Sequence, residues 1–156
     1  MKQFVMMVMA LFLLASCQET PKGYVINGVV ENMPDGKIYL KSFRNKMFFD
    51  VDTAEIKDGK FTFKGEVDQP LLYGLATEDM NYPVQLFVEN TTMDVTIGND
   101  GETIIVQNSP VNVIFQENQS KVFENGFDID SLISKYPDSP AAVFYLYRYF
   151  TYQLPL

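Results

Sequence analysis

The sequence predicts a mainly β protein: an antiparallel sandwich or barrel-like domain of about eight short strands, followed by a short helical tail. Three observations carry this reading. Apolar and polar residues alternate along several runs between Tyr24 and Asn108, the period of a strand buried on one face. Turn-forming residues interrupt those runs at short intervals. After Ser109-Pro110 the apolar spacing lengthens from two residues to that of a helix.

The expected strands cover 24–31, 37–44, 51–56, 60–67, 71–77, 83–89, 92–97 and 103–107. Phe61-Thr62-Phe63-Lys64 alternates cleanly. Val84, Leu86 and Val88 alternate with Gln85 and Phe87, and Met93, Val95 and Ile97 with Asp94 and Thr96. Pro34-Asp35-Gly36, Asp58-Gly59, Glu89-Asn90-Thr91 and Asn99-Asp100-Gly101 supply turns. Asp-Gly between strand-like runs favours a tight hairpin, because glycine accepts a positive φ. In the tail, Val111 to Asn125 suits one helix, through Val111, Ile114, Phe115, Val122 and Phe123. Asp130-Ser131 is placed to cap a second, short helix through Tyr136. Ser139 and Pro140 suit the N-cap and first position of a third, Ala141 to Gln153, where proline's missing N–H costs nothing. That helix carries Phe144, Tyr145, Tyr147, Tyr149, Phe150 and Tyr152 around most of its circumference, so it needs cover on more than one side. Either it packs on its own sheet, or it forms a platform for a protein partner or a second copy of the chain.

The first residues read as a targeting segment. Lys2 precedes the apolar run Phe4 to Ala15, which has the length of a signal core and is short of the ~20 residues that span a bilayer. The sequence Leu14-Ala15-Ser16-Cys17 resembles the bacterial lipobox. That resemblance implies a signal peptide over 1–16, lipidation of the Cys17 thiol, and a short linker over 17–23. Several acyl chains at ~0.8 kcal/mol per buried CH₂ make a stable anchor. The membrane is thus one expected partner, reached through Cys17. Gln18 after the cysteine favours the outer membrane over the inner, by the rule for enteric bacteria.

Composition narrows function by exclusion. The formal charge is −8, and removal of the leader takes away only Lys2, so nucleic acid and anionic lipid surfaces are poor partners. The chain has no histidine, and Cys17 is its only cysteine. That excludes Ser-His-Asp and Cys-His catalysis, the usual zinc sites and a CxxC redox pair. No catalytic residue, metal or cofactor is expected.

The order of short motifs resembles a known family. Ile26-Asn27-Gly28 is followed by Gly36-Lys37-Ile38-Tyr39-Leu40, Asp58-Gly59-Lys60-Phe61-Thr62-Phe63-Lys64-Gly65, Gln69-Pro70, Phe87-Val88-Glu89-Asn90 and Asn108-Ser109. This order is similar to the DUF4369 domain of Bacteroidetes lipoproteins, here over 24–108, with a helical linker over 109–156. In that family a thioredoxin-like domain of the thiol–disulfide oxidoreductase type often follows, and Tyr136-Pro137-Asp138-Ser139-Pro140-Ala141-Ala142 resembles the start of the linker. The redox chemistry belongs to a CxxC in that following domain, and this sequence reaches Leu156 without one. The resemblance therefore implies a non-catalytic accessory or interaction module of the cell envelope. The alternatives are a glycan- or peptide-binding module and a truncated fragment of an oxidoreductase without its catalytic domain.

Other candidates rest on single motifs. Asp50 and Asp52 would share one face of a regular strand, as paired carboxylates do in glycosidases, although an acidic chain offers such pairs freely. Asp128-Ile129-Asp130 lacks the rest of a calcium loop and suits helix capping. Asp52-Thr53-Ala54 and Asp130-Ser131-Leu132 are similar to the acceptor motif of Bacteroidetes O-glycosylation, which makes Thr53 and Ser131 candidate sites if their hydroxyls are exposed. Asn90 is expected as a turn residue. Tyr24, Tyr39, Tyr73 and Tyr82 are candidate sugar-stacking rings whose ordinary alternative is the core.

Overall fold

The computed structural model describes residues 22–124 and 126–152. Cys17, the expected lipidation site, and the expected leader before it lie outside the described residues. Eight strands form two four-stranded sheets. β1 (Tyr24–Val30), β4 (Lys60–Gly65), β7 (Thr92–Ile97) and β8 (Ile104–Gln107) make the first, in the order β4-β1-β7-β8. β2 (Gly36–Arg44), β3 (Met47–Ile56), β5 (Leu71–Thr77) and β6 (Val84–Val88) make the second, in the order β3-β2-β5-β6. Both sheets are open, so the fold is a sandwich and not a closed barrel. One pairing departs from the antiparallel expectation: β1 and β7 run parallel, which makes the first sheet mixed.

Alternation builds the inner core. Ile26, Val30, Phe61, Phe63, Met93, Val95, Ile97 and Val106 point inward from the first sheet, and Ile38, Leu40, Leu75, Val84, Leu86 and Val88 from the second. Gly28 is required by a close approach. A Cβ there would lie 1.8 Å from the Phe61 ring on the paired strand.

Each expected strand is present, with one boundary displaced by more than two residues. β3 begins at Met47, four residues early. Asn45 and Lys46 both take a positive φ, 52° and 63°, and turn β2 straight into β3 without a glycine to signal it. Asp58 and Gly59 also take positive φ, 50° and 72°, and Lys57 bridges Lys60 across them. The strands they join then enter different sheets, so this turn is a corner of the sandwich.

The tail folds as three helices and a tight turn. α1 (Pro110–Asn118) is capped by Ser109, whose Oγ accepts from Asn112 N at 3.2 Å. The single helix expected through Asn125 stops seven residues early. The Asn118 side chain donates to the Ile114 carbonyl, and the chain tightens to a 3₁₀ turn at Lys121–Phe123. That turn buries Val122 and leaves Phe123 exposed. α2 (Ile129–Lys135) is capped by Asp128, not by Asp130-Ser131; Asp128 Oδ1 accepts from Ser131 N at 3.0 Å. α3 (Pro140–Tyr152) begins at the expected proline, but the Ser139 hydroxyl is buried without a hydrogen-bond partner and does not cap.

These helices make a second core on the outer face of the second sheet. Leu72 and Phe87 from β5 and β6 pack there with Val111, Phe115, Val122, Ile129, Leu132, Ala141, Ala142 and Tyr145. Phe87 sits out of phase with Val84, Leu86 and Val88 because it faces the helices. Phe115 joins the layers, edge-on to Phe87 at 5.3 Å and stacked on Tyr145 at 5.6 Å.

Candidate functional site

The helical tail is fixed to the sandwich by side-chain amides that behave as backbone. Asn112 Oδ1 accepts from Phe87 N at 2.8 Å, and its Nδ2 donates to Phe87 O at 2.7 Å. One turn along α1, Gln116 Oε1 accepts from Val106 N at 2.8 Å, and Nε2 donates to Val106 O at 3.0 Å. β6 and β8 are edge strands of different sheets. A helix carrying two amides four residues apart thus pairs with both edges and closes one side of the sandwich. Asn112 is fully buried, and its Nδ2 also reaches Ser109 Oγ at 2.6 Å. Ser109 in turn donates to Glu89 at the end of β6. Asn90, expected only as a turn residue, is a third such clamp, holding Val67 N and O at 3.0 and 2.7 Å.

Docking the tail this way encloses a cleft of about 630 Å³ between the sandwich loops and the helices. One wall comes from the β5–β6 and β7–β8 loops, with Asp79, Asn81, Tyr82, Asp100 and Glu102. The other comes from the helices, with Gln119, Phe123, Phe144, Tyr145 and Arg148. Val84, Ile104 and Phe115 lie between them.

Each wall is locally ordered. The Asp100 carboxylate accepts from the Thr103 hydroxyl at 2.6 Å and from the Thr103 and Glu102 amides at 2.8 and 2.9 Å. Those bonds, the hydroxyl first, hold its pKa down at about 2. Gly101 completes the turn with φ 66°. On the helical wall the Arg148 guanidinium lies 5.1 Å from the Phe123 ring and 5.6 Å from the Phe144 ring. The Tyr145 hydroxyl donates to the Phe115 carbonyl, and burial pushes its pKa up.

The residues singled out from the sequence are distributed as follows. Of the six α3 aromatics, Tyr145 is 2% exposed and Phe144 and Tyr149 are half-buried in the second core. Tyr147 and Phe150 are more than half exposed, and with Val143 they form an outward stripe at helical spacing. The Tyr152 side chain lies outside the described residues. Thr53 is exposed on β3, and Ser131 is exposed in the first turn of α2. Asp50 and Asp52 do not share a face. A bulge opposite Leu40 and Lys41 leaves Val51 over, so the two aspartates pair with adjacent residues of β2, which point to opposite faces. Asp50 forms an ion pair with Lys41, and Asp52 Oδ1 accepts from Thr53 N. Of the four candidate tyrosines, Tyr24 is in the core, Tyr73 packs against it, and Tyr39 is half-buried with its hydroxyl on Glu78. Tyr82 is 82% exposed at the cleft. Among the described residues, no group of three His, Cys, Asp or Glu is placed to hold a metal, and no helix is long and apolar enough to cross a membrane.

The whole of the sandwich and most of α1, residues 24–115, match the family described as a domain of unknown function, DUF4369. The chain belongs to the DUF4369 family. No curated protein matches it. The DUF4369 match ends at Phe115, so the sandwich wall of the cleft falls within it while Phe123, Phe144 and Arg148 fall beyond it.

Sequence reasoning missed the cleft and the clamps. Tyr82 was the one loop-wall residue it named as a binding candidate; Asn99-Asp100-Gly101 it read only as a turn. For Asn112 and Gln116 the available signal was two amides four residues apart, just after a Ser-Pro helix start.

Proposed function

We propose that this DUF4369 protein is a lipid-anchored, non-catalytic module of the cell envelope that holds a protein partner in the cleft between its sandwich and its tail. The anchor is assigned to Cys17 within Leu14-Ala15-Ser16-Cys17. The observation that carries the binding role is the cleft itself: about 630 Å³, at the junction of two packing units, with aromatic rings beside polar groups. A chain without histidine, and with its single thiol given to lipid, favours holding over transforming. On this reading the module is related to the N-terminal part of thiol–disulfide oxidoreductase lipoproteins and acts as their accessory. The outward stripe of Val143, Tyr147 and Phe150 gives α3 a second contact surface, for the same partner or for self-association.

Two measurements test this. Mass spectrometry of the mature protein should find a chain that begins at a diacylglyceryl- and acyl-bearing Cys17, and an unmodified thiol defeats the anchor. A photo-crosslinking residue at Tyr82, in intact cells, should give a defined protein adduct that the same residue at Thr62 on β4 does not give. Equal patterns from both positions defeat the binding site.

A further inference from the structure

We infer that the cleft receives a basic, extended segment of the partner, with a Lys or Arg side chain against the loop wall and an apolar side chain against the apolar residues opposite. This rests on the binding role proposed above and adds the chemical class of what is bound.

Charge decides most of it. Three carboxylates line the cleft, Asp79, Asp100 and Glu102, all on the loop wall. Among the described residues one cation lines it, Arg148, and its guanidinium lies on the far wall against Phe123 and Phe144. An anionic ligand would meet the acidic loops first and be repelled. A metal ion needs convergent ligands, which the carboxylates do not provide. A neutral sugar would use the rings and amides but gives no reason for the excess of acid.

A cation with an apolar body uses every part. Its charge meets Asp79 and Glu102, while the 82% exposed Tyr82 ring offers a cation–π face at the rim. Its apolar portion covers the half-buried Ile104 and Phe144 and the exposed Phe123. A polyamine supplies the charge without the apolar group, and a peptide supplies both. The chain's overall charge of −8 steers the same class of ligand over longer range. The Arg148 contact is an internal example, a guanidinium resting on aromatic faces of this cleft.

The test uses the full chain in neutral detergent micelles and three probes: acetyl-Lys-Phe-Lys-amide, acetyl-Gln-Phe-Gln-amide and maltotriose. Amide NMR shifts of Asn81, Tyr82, Gln85 and Gln119 report the cleft. The lysine peptide should shift them, and should bind several-fold more weakly when salt rises from about 0.05 to about 0.5 M. The double variant Asp79→Asn/Glu102→Gln should bind it about three- to tenfold more weakly. Both side chains are exposed, so an unchanged circular dichroism spectrum is expected as a control. Equal binding of the glutamine peptide, or cleft shifts from maltotriose alone, overturns the basic-segment inference and leaves the binding role standing. Shifts from none of the three probes overturn the inference as well. The binding role itself then stands or falls by the Tyr82 cross-link.

Discussion

On one side of the sandwich, the edge strands β6 and β8 have peptide groups met by the Asn112 and Gln116 amides of α1. On the other side, β3 and β4 end their sheets with a strand paired on one edge only. The contrast separates two ways of finishing a sheet. The closed side satisfies the edge with buried, geometry-specific bonds, which must all form together. The open side relies on local devices that discourage a wrong neighbour: the bulge at Leu40 and Lys41, the Lys41–Asp50 ion pair, and Lys60 and Lys64 on the short β4. The first device also positions the tail and creates the cleft. The second only protects an edge and positions no further element, and it leaves Met47, Phe49 and Val51 on β3 exposed.

The largest effect should come from Asn112→Ala. It strands the N–H and C=O of Phe87 in a buried site, so at ~1–3 kcal/mol per unsatisfied group we expect a loss of about 4 kcal/mol in urea unfolding. A loss below about 1 kcal/mol would mean that the clamp does not close the edge. Gln116→Ala should cost about 1–2 kcal/mol, because that clamp is only partly buried and water replaces some of it. Faster amide exchange at Val106, with Phe87 unchanged, would localise it. Tyr145→Phe removes one buried hydrogen bond to Phe115 and keeps the ring stack, so about 1 kcal/mol is expected from thermal unfolding. On the open side, Asp50→Ala should cost under 1 kcal/mol, since the carboxylate is mostly exposed. Its clearer signature should be increased self-association in light scattering, as an edge charge is lost. A larger stability change there than at Asn112 would invert the comparison.

The smallest effect concerns pH at the cleft loop. Asp100 has its pKa lowered from an ordinary 3.8 to about 2 in the folded chain. Between those values the unfolded chain binds the proton more readily, so stability rises with pH there and is lost as pH falls from about 4 towards 2. The Thr103 and Glu102 amide signals should move with a midpoint near 2. A midpoint near 4 would show that the loop does not hold its carboxylate.

The legible parts of the fold were those with a local signature. β4 and β7 could be read from alternation, and α3 from Pro140 and its aromatic run. Asn45-Lys46 hid the start of β3 because left-handed conformations at two non-glycine residues leave no compositional mark. The end of α1 was hidden because Val122 and Phe123 continue an apolar spacing that the backbone, tightened at Lys121–Phe123, does not follow. Thr53 and Ser131 needed only exposure to remain candidates, and each is exposed. The Asp50 and Asp52 pairing failed because a single bulge reverses which face a strand residue takes.

By itself the sequence determined the eight strands, the change to helix after Ser109-Pro110, and a composition with no histidine and a single cysteine. Each of these is a property of neighbouring residues or of composition. Only the tertiary structure decided that β1 pairs in parallel with β7, that Phe87 faces outward into a second core, and that Asn112 and Gln116 stand in for β-strands. It also brought Tyr82, Glu102 and Arg148 around one cleft. The physical reason is range: alternation acts over two residues and a cap over three or four. A peptide group at Phe87 finds its partner 25 residues away only after both have been carried to the same edge by packing.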